Sequence, residues 1–175
     1  VIGFGVQVEG TEEVLANLND QIKTLPHATR RGLIKAGFFL QRKSQKIVPV
    51  DLGNLRSSAF TAWKGGSSST SKRFKSPAMS ADHEKAVAGA KAVASMAGKN
   101  NPAVVVGYSA YYAIYVHENL EAKHKKGKVA KFLERPLNDY RADLFNIIRK
   151  DAVKGMKKKA GKKASKAHKK TLGGE

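Results

Sequence analysis

Two hydrophobic periods alternate along this chain, and the alternation predicts an α+β fold. Helical stripes run up to Ile47 and onward from Leu137. Short strand-like patterns occupy residues 2–8, 57–64 and 103–107. Between the first long helical pattern and the second strand pattern lies a corner, Val48-Pro49-Val50-Asp51-Leu52-Gly53-Asn54-Leu55-Arg56-Ser57-Ser58. Pro49 drives Val48 out of the helical region, and Gly53-Asn54 tolerate positive φ. Asp51 is a candidate to cap backbone amides in the turn. Pro49, Asp51, Gly53 and Leu55 are the residues expected to set the angle of this corner.

The elements follow in order. Ile2, Phe4, Val6 and Val8 alternate with Gly3, Gly5, Gln7 and Glu9, the pattern of a half-buried strand that Gly10-Thr11 ends. Thr11 as N-cap, with Glu12 and Glu13 in the first turn, predicts a short helix carrying Leu15, Leu18, Ile22 and Leu25. Pro26 suits the first turn of a second helix, with Leu33, Ala36, Gly37, Leu40, Ser44 and Ile47 on one stripe. Ala36 and Gly37 are small enough to let a sheet approach closely. Arg30, Arg31, Arg42, Lys43 and Lys46 leave the rest of that helix basic, the usual look of a solvated face.

Beyond the corner, Ala59, Phe60, Ala62 and Trp63 predict a second strand. Gly65 to Ser71 has linker composition and precedes the basic Lys72-Arg73-Phe74-Lys75, which predicts a loop tip. Ser80 is a candidate cap for an alanine-rich helix ending at Gly98, so residues 65–101 read as a flexible insertion between two strands. Ala103 to Gly107 reads as a buried strand. Tyr108, Tyr111, Tyr112 and Tyr115 fit a short helix, followed by a basic loop from Glu121 to Lys131 with no periodicity, expected to be mobile. Leu137, Tyr140, Leu144, Ile147 and Ile148 then define a last helix. Residues 1–153 form one expected domain. From about Lys154 the pattern dissolves into Lys, Ala and Gly, so residues 154–175 read as a basic, flexible tail.

Composition narrows the classes of function. The 175 residues carry 33 Lys+Arg against 14 Asp+Glu, a formal charge of +19, which points to an anionic partner: nucleic acid first, an acidic protein surface second. Ten Lys against Asp151 and Glu175 place +8 of that charge in residues 150–175. With no cysteine there is neither a disulfide framework nor a thiolate metal site. No apolar run reaches the roughly 20 residues of a membrane span, and no secretory leader pattern opens the chain. The expectation is a protein without membrane contact.

Catalytic patterns are missing. His27, His83, His117, His124 and His168 are scattered and make no HExxH pair, Gly3-Phe4-Gly5 lacks the third glycine of a dinucleotide loop, and no phosphate loop is present. His117-Glu118 is the one pair of catalytic residue types, and a satisfied or solvent-facing histidine is its ordinary reading. The expectation is no enzyme, no cofactor and no metal. Candidate docking or anion-contacting residues are instead Lys72, Arg73 and Lys75 in the insertion, Lys123, Lys125, Lys126 and Lys128 in the later loop, and Lys157, Lys158 and Lys159 in the tail.

Three ordered blocks carry a resemblance. The corner is similar to the VPVDTGxLRxS signature of bacteriophage neck and tail-completion proteins. Val106-Gly107-Tyr108 with Tyr111-Tyr112-Ala113-Ile114-Tyr115-Val116-His117-Glu118 resembles that family's VGxxxxYAxYVExG stretch, and Lys131-Phe132-Leu133-Glu134-Arg135-Pro136-Leu137 resembles its PFLRPAL. Asn119-Leu120 and Lys131 depart from the pattern. The resemblance implies a small antiparallel sheet packed against a long helix and a C-terminal helix, with a long inter-strand insertion. It also implies a homo-oligomeric ring, a hexamer or else a dodecamer, at the virion neck. Such a ring, assembled in the host cytoplasm, would complete the upper end of the tail and join head to tail. Its neighbours would be connector and tail-terminator proteins, with genomic DNA passing through the channel. The alternative reading is a sequence-independent nucleic-acid-binding protein acting through a basic face and the lysine-rich tail.

Overall fold

A computed structural model describes residues 11–69, 74, 76–98 and 101–172, with the side chains of residues 11–24, 69, 159 and 162–172 left out. The predicted strand at residues 2–8, the basic Lys72, Arg73 and Lys75, and the side chain of Lys159 therefore lie outside the described residues.

The N-terminal half of the predicted helical pattern is one helix, α1 (Thr11–Ile47), with Pro26 inside it rather than starting a second helix. A proline removes one helical hydrogen bond, a loss that tertiary packing can offset. The packing comes from α6 (Arg141–Leu172), which lies along α1 more extensively than any other pair of elements. Two glycines set the distance. A Cβ on Gly32 would stand 2.8 Å from the Ile148 Cα, and a Cβ on Gly155 would stand 2.5 Å from the Ala28 Cβ. Lys35 Nζ donates to Asp151 Oδ1 at 2.7 Å in the same seam. Ala28 meets Gly155, Gly32 meets Ile148 and Leu40 clusters with Leu144, so the two helices are antiparallel.

α6 continues to Leu172, past Lys154, where the apolar periodicity of the sequence dissolves. Alanine and lysine are good helix formers, and Gly155, which reads in sequence as a breaker, is a point of close approach to Ala28 of α1. The last predicted helix is also interrupted: α5 (Glu134–Asp139) stops at Tyr140 and α6 starts anew, leaving Leu137 exposed off the Leu144 stripe.

The sheet has order β2-β1-β3, with β1 (Ala59–Trp63) antiparallel to both β2 (Gly66–Ser69) and β3 (Val104–Tyr108). Residues 66–69 thus form a strand, where composition predicted a flexible linker. Gly65 at φ +85° closes a two-residue turn, and Gly66 leaves room for the Trp63 indole, 2.8 Å from where a Cβ would sit. Serine-rich composition says little about pairing once a buried neighbour such as β1 supplies the ladder. Alternation sends Thr61 toward α1 and Phe60 and Ala62 toward α3 (Pro77–Met96), so the sheet lies between two helical layers. Pro77 begins α3 three residues before the predicted Ser80 cap, since proline is preorganised for the first turn, and the Ser80 hydroxyl instead donates back to the Ser76 carbonyl at 3.3 Å.

Close approach of α1 to the sheet is realised as Ala36 and Gly37 predict. A Cβ on Gly37 would meet Thr61 Cγ2 at 2.9 Å and Val104 Cγ1 at 3.0 Å. Two polar pairs fix the register of helix on sheet: the Thr61 hydroxyl donates to Gln41 Oε1 at 2.7 Å, and Ser44 shares a 2.7 Å hydrogen bond with the Tyr108 hydroxyl. Burial pushes the Tyr108 phenol up to about 12, so it stays a neutral partner for Ser44. Lys43, expected on a solvated face, lies 4.0 Å above the Tyr140 ring.

Candidate functional site at the corner

The corner is more structured than a turn. Val48 ends α1 fully buried, Gly53 adopts φ +86° with open space where a Cβ would be, and α2 (Asn54–Ser57) makes a single helical turn that buries Leu55. Asp51 does not act as the predicted cap: Gly53 holds the N-cap position, no side chain caps the turn, and Asp51 is exposed. The turn is closed at its other end, where the Ser58 hydroxyl donates to the Leu55 carbonyl at 2.8 Å and Gln45 Nε2 reaches the Arg56 carbonyl at 3.0 Å.

Val48 and Leu55 pack in one buried cluster with Ala110, Ala113 and Phe132, flanked by Tyr108, Tyr112 and Val116. This joins the corner to α4 (Ala113–Glu118) and to the Phe132 segment, two regions far along the chain. Phe132 is the keystone, with the Tyr108 ring 5.0 Å and the His117 ring 4.8 Å away, both edge-on. Around it, His117 Nδ1 lies 2.7 Å from Glu118 Oε1, and Lys131, at φ 55°, pairs with Glu118 and, at 3.1 Å, with Glu134. Hydrogen bonds from Lys131 and His117 hold the Glu118 carboxyl below its ordinary range, and the same contact raises Lys131. His117 is therefore tied to Glu118 through Nδ1, while its buried Nε2 has no hydrogen-bond partner among the described residues.

A groove of about 350 Å³ opens over this cluster, with Pro49, Val50 and Leu52 on one side and Tyr112, Lys123 and Lys125 on another. Its surroundings are unusually apolar for a surface: Leu52 and Tyr111 are each 84% exposed and Tyr115 73%. The loop from Glu121 to Lys131, predicted to be mobile, is fastened at its far end. Val129 N–H donates to the Ile47 carbonyl at 3.0 Å, Lys128 Nζ to the Lys46 carbonyl at 2.6 Å, and Lys131 N–H to the His117 carbonyl at 2.7 Å. The first two satisfy carbonyls at the end of α1 that a helix terminus leaves open.

The predicted site residues thus separate. Pro49, Asp51, Gly53, Leu55, Lys123 and Lys125 come together at the groove, Lys126 is exposed nearby in sequence, and Lys128 is spent on the helix end. Lys157 and Lys158 are exposed on α6 beside the Ala28 end of the seam, about 30 Å of α1 away from the corner. Sequence reasoning missed His83, buried under α3 with Nδ1 2.6 Å from the Ser109 hydroxyl and with the Phe60 and Phe74 rings around it. A histidine on an alanine-rich helix gave no periodic signal for that contact. Among the described residues no group of histidines and carboxylates could hold a metal ion, and no helix is long and apolar enough to cross a membrane.

Fold and site together define an α+β protein whose three-stranded antiparallel sheet lies between helical layers, with an apolar, lysine-rimmed groove at the α1 corner. Comparison with protein-family models, with curated proteins and with solved structures finds no match.

Proposed function

We propose that this chain is a structural subunit of a tailed-bacteriophage neck, assembling as a homo-oligomeric ring that completes the tail end and joins head to tail around the DNA channel. The observation that carries the reading is the Phe132 cluster: the three sequence blocks that resemble neck proteins, separated by long stretches of chain, supply Val48 and Leu55, Ala110 and Ala113, and Phe132 to one buried unit. Joint burial of the three blocks is what a shared structural unit would require. The exposed Leu52, Tyr111 and Tyr115 beside them are surface that an assembly would cover. The purified chain is expected to sediment as a ring-sized oligomer and to appear in the neck of particles by electron microscopy with a C-terminal label. A chain that stays monomeric and never accompanies particles overturns the reading.

Sequence-independent binding of nucleic acid is the second reading, favoured by the exposed Lys157 and Lys158 on a helix that also carries Lys154 and Lys150. Titration of duplex DNA across salt concentrations separates the two, since a ring held by apolar contacts assembles without DNA.

A further inference from the structure

Among the described residues, the sheet has one valine-rich edge that no other strand covers. β3 is the outer strand, and all five of its residues are only half-buried. Ser109 N–H donates to the Ser58 carbonyl at 3.0 Å, which continues the β1–β3 ladder and sets its phase. With Ala59 opposite Tyr108, positions 105, 107 and 109 turn their backbone groups toward β1, and Val104, Val106 and Tyr108 turn theirs outward. Among the described residues nothing pairs with that outward row. Valine-rich edges of this kind are templates for another strand.

Beside the same edge lies an apolar groove of about 450 Å³, floored by α1 at Leu33 and Gly37, walled by Val104 and Val106, and closed by Phe145 and Ile148 of α6. A strand added to β3 would lay one face into this groove and leave the other facing away from α1. The chain contains one unassigned segment of that pattern, residues 2–8, with Ile2, Phe4, Val6 and Val8 on one face and Gly3, Gly5 and Gln7 on the other.

Reach decides whose edge it occupies. Gly37 packs against Val104 and Val106, and about 39 Å of continuous helix at about 1.5 Å per residue separates it from Thr11. Gly5, the middle of the segment, can stand at most about 20 Å from Thr11 even in full extension. The middle of the segment therefore falls short of Val106 in its own chain, and a second copy's edge has no such limit.

We propose that residues 2–8 of one copy add as a fourth strand to the β3 edge of a second copy, their apolar side chains filling the groove between β3, α1 and α6. This deepens the self-association in the neck reading and rests on that part of it alone, not on its setting in a virion. Head-to-tail exchange of one strand per subunit is a heterologous contact, which closes rings when the rotation allows.

The test removes residues 1–8 and, in a second variant that keeps the segment, replaces Val6→Lys. Both are expected to turn the oligomer of the full chain into monomer in analytical ultracentrifugation, with helix content by circular dichroism unchanged. Because the chain has no cysteine, contact can be read directly by co-refolding a Val106→Cys chain with a Phe4→Cys or Val6→Cys chain. A disulfide-linked mixed dimer, well above what either chain forms alone, supports the proposal. An oligomer that survives loss of residues 1–8, or no mixed dimer from either pair, overturns it while leaving the ring intact. A chain that forms an intramolecular bond when it carries both cysteines also overturns it. A full chain that is monomeric at every concentration overturns the ring and the exchange together.

Discussion

At Gly53 the backbone, not the packing, is what the residue supplies. Its φ of +86° is a region L side chains avoid, yet a Cβ there would touch nothing. Gly53→Val is expected to cost about 1–2 kcal/mol through backbone strain alone, with the surrounding packing undisturbed, seen as a melting midpoint lower by about 2–8 °C. Gly53→Asn, which tolerates positive φ, should keep most of that stability. His83 is the complementary case, where surroundings act on a titrating group. Burial holds it below its ordinary value, against the pull of Glu84, so the folded protein keeps it neutral. The unfolded chain then takes up the proton more readily. Stability from this residue is complete above about pH 6.5 and is lost as pH falls below that value toward the depressed folded one. Thermal melts between about pH 5 and 7 should show this slope in the parent chain and a flatter one in His83→Gln, which keeps a polar partner for Ser109 but cannot charge there.

Helices in this fold are placed by what they lack as much as by what they bury. The stripe from Leu33 to Ile47 was legible because a 3.6-residue period survives any environment, and Gly37 in that stripe anticipated a sheet held close. Gly32 and Gly155 were not legible, because their role exists only once α1 and α6 lie side by side. Gly32→Val would drive a branched side chain into the Ile148 backbone and is expected to cost about 1–3 kcal/mol in chemical denaturation. The end of α1 depends on the later loop in the same way. Lys128→Ala removes a cation from the Lys46 carbonyl and is expected to cost about 0.5–1 kcal/mol, with faster amide exchange confined to the last turn of α1 and to residues 128–131. Unchanged exchange there would show that the loop merely rests on the helix. The β1–β2 hairpin escaped prediction for another reason: Gly-Ser composition is shared by linkers and by strands whose side chains face solvent, and only the pairing with β1 separates them.

At the scale of the molecule, the described candidate anion-contacting lysines fall in two distant places, the loop at the corner groove and the exposed face of α6. If α6 meets nucleic acid, Lys157→Gln with Lys158→Gln should lower the slope of log affinity against log salt for duplex DNA by about 1.8 and leave the oligomer unchanged. The same double substitution should have no effect on a partner that docks at the corner. A slope that does not move places the contact elsewhere on the chain.

Local chemistry was enough to mark the α+β class, the long helix, the corner at Pro49 and Gly53, and the valine strand, because periodicity and φ preference belong to a few neighbouring residues. Long-range geometry settled the rest. Whether Pro26 divides α1, whether the lysine-rich stretch after Lys154 is helical, and whether Phe132 meets Val48 all depend on surfaces brought together from opposite ends of the chain. A glycine reads as a breaker in sequence and as a contact in the fold, and nothing local distinguishes the two until a second helix lies against it.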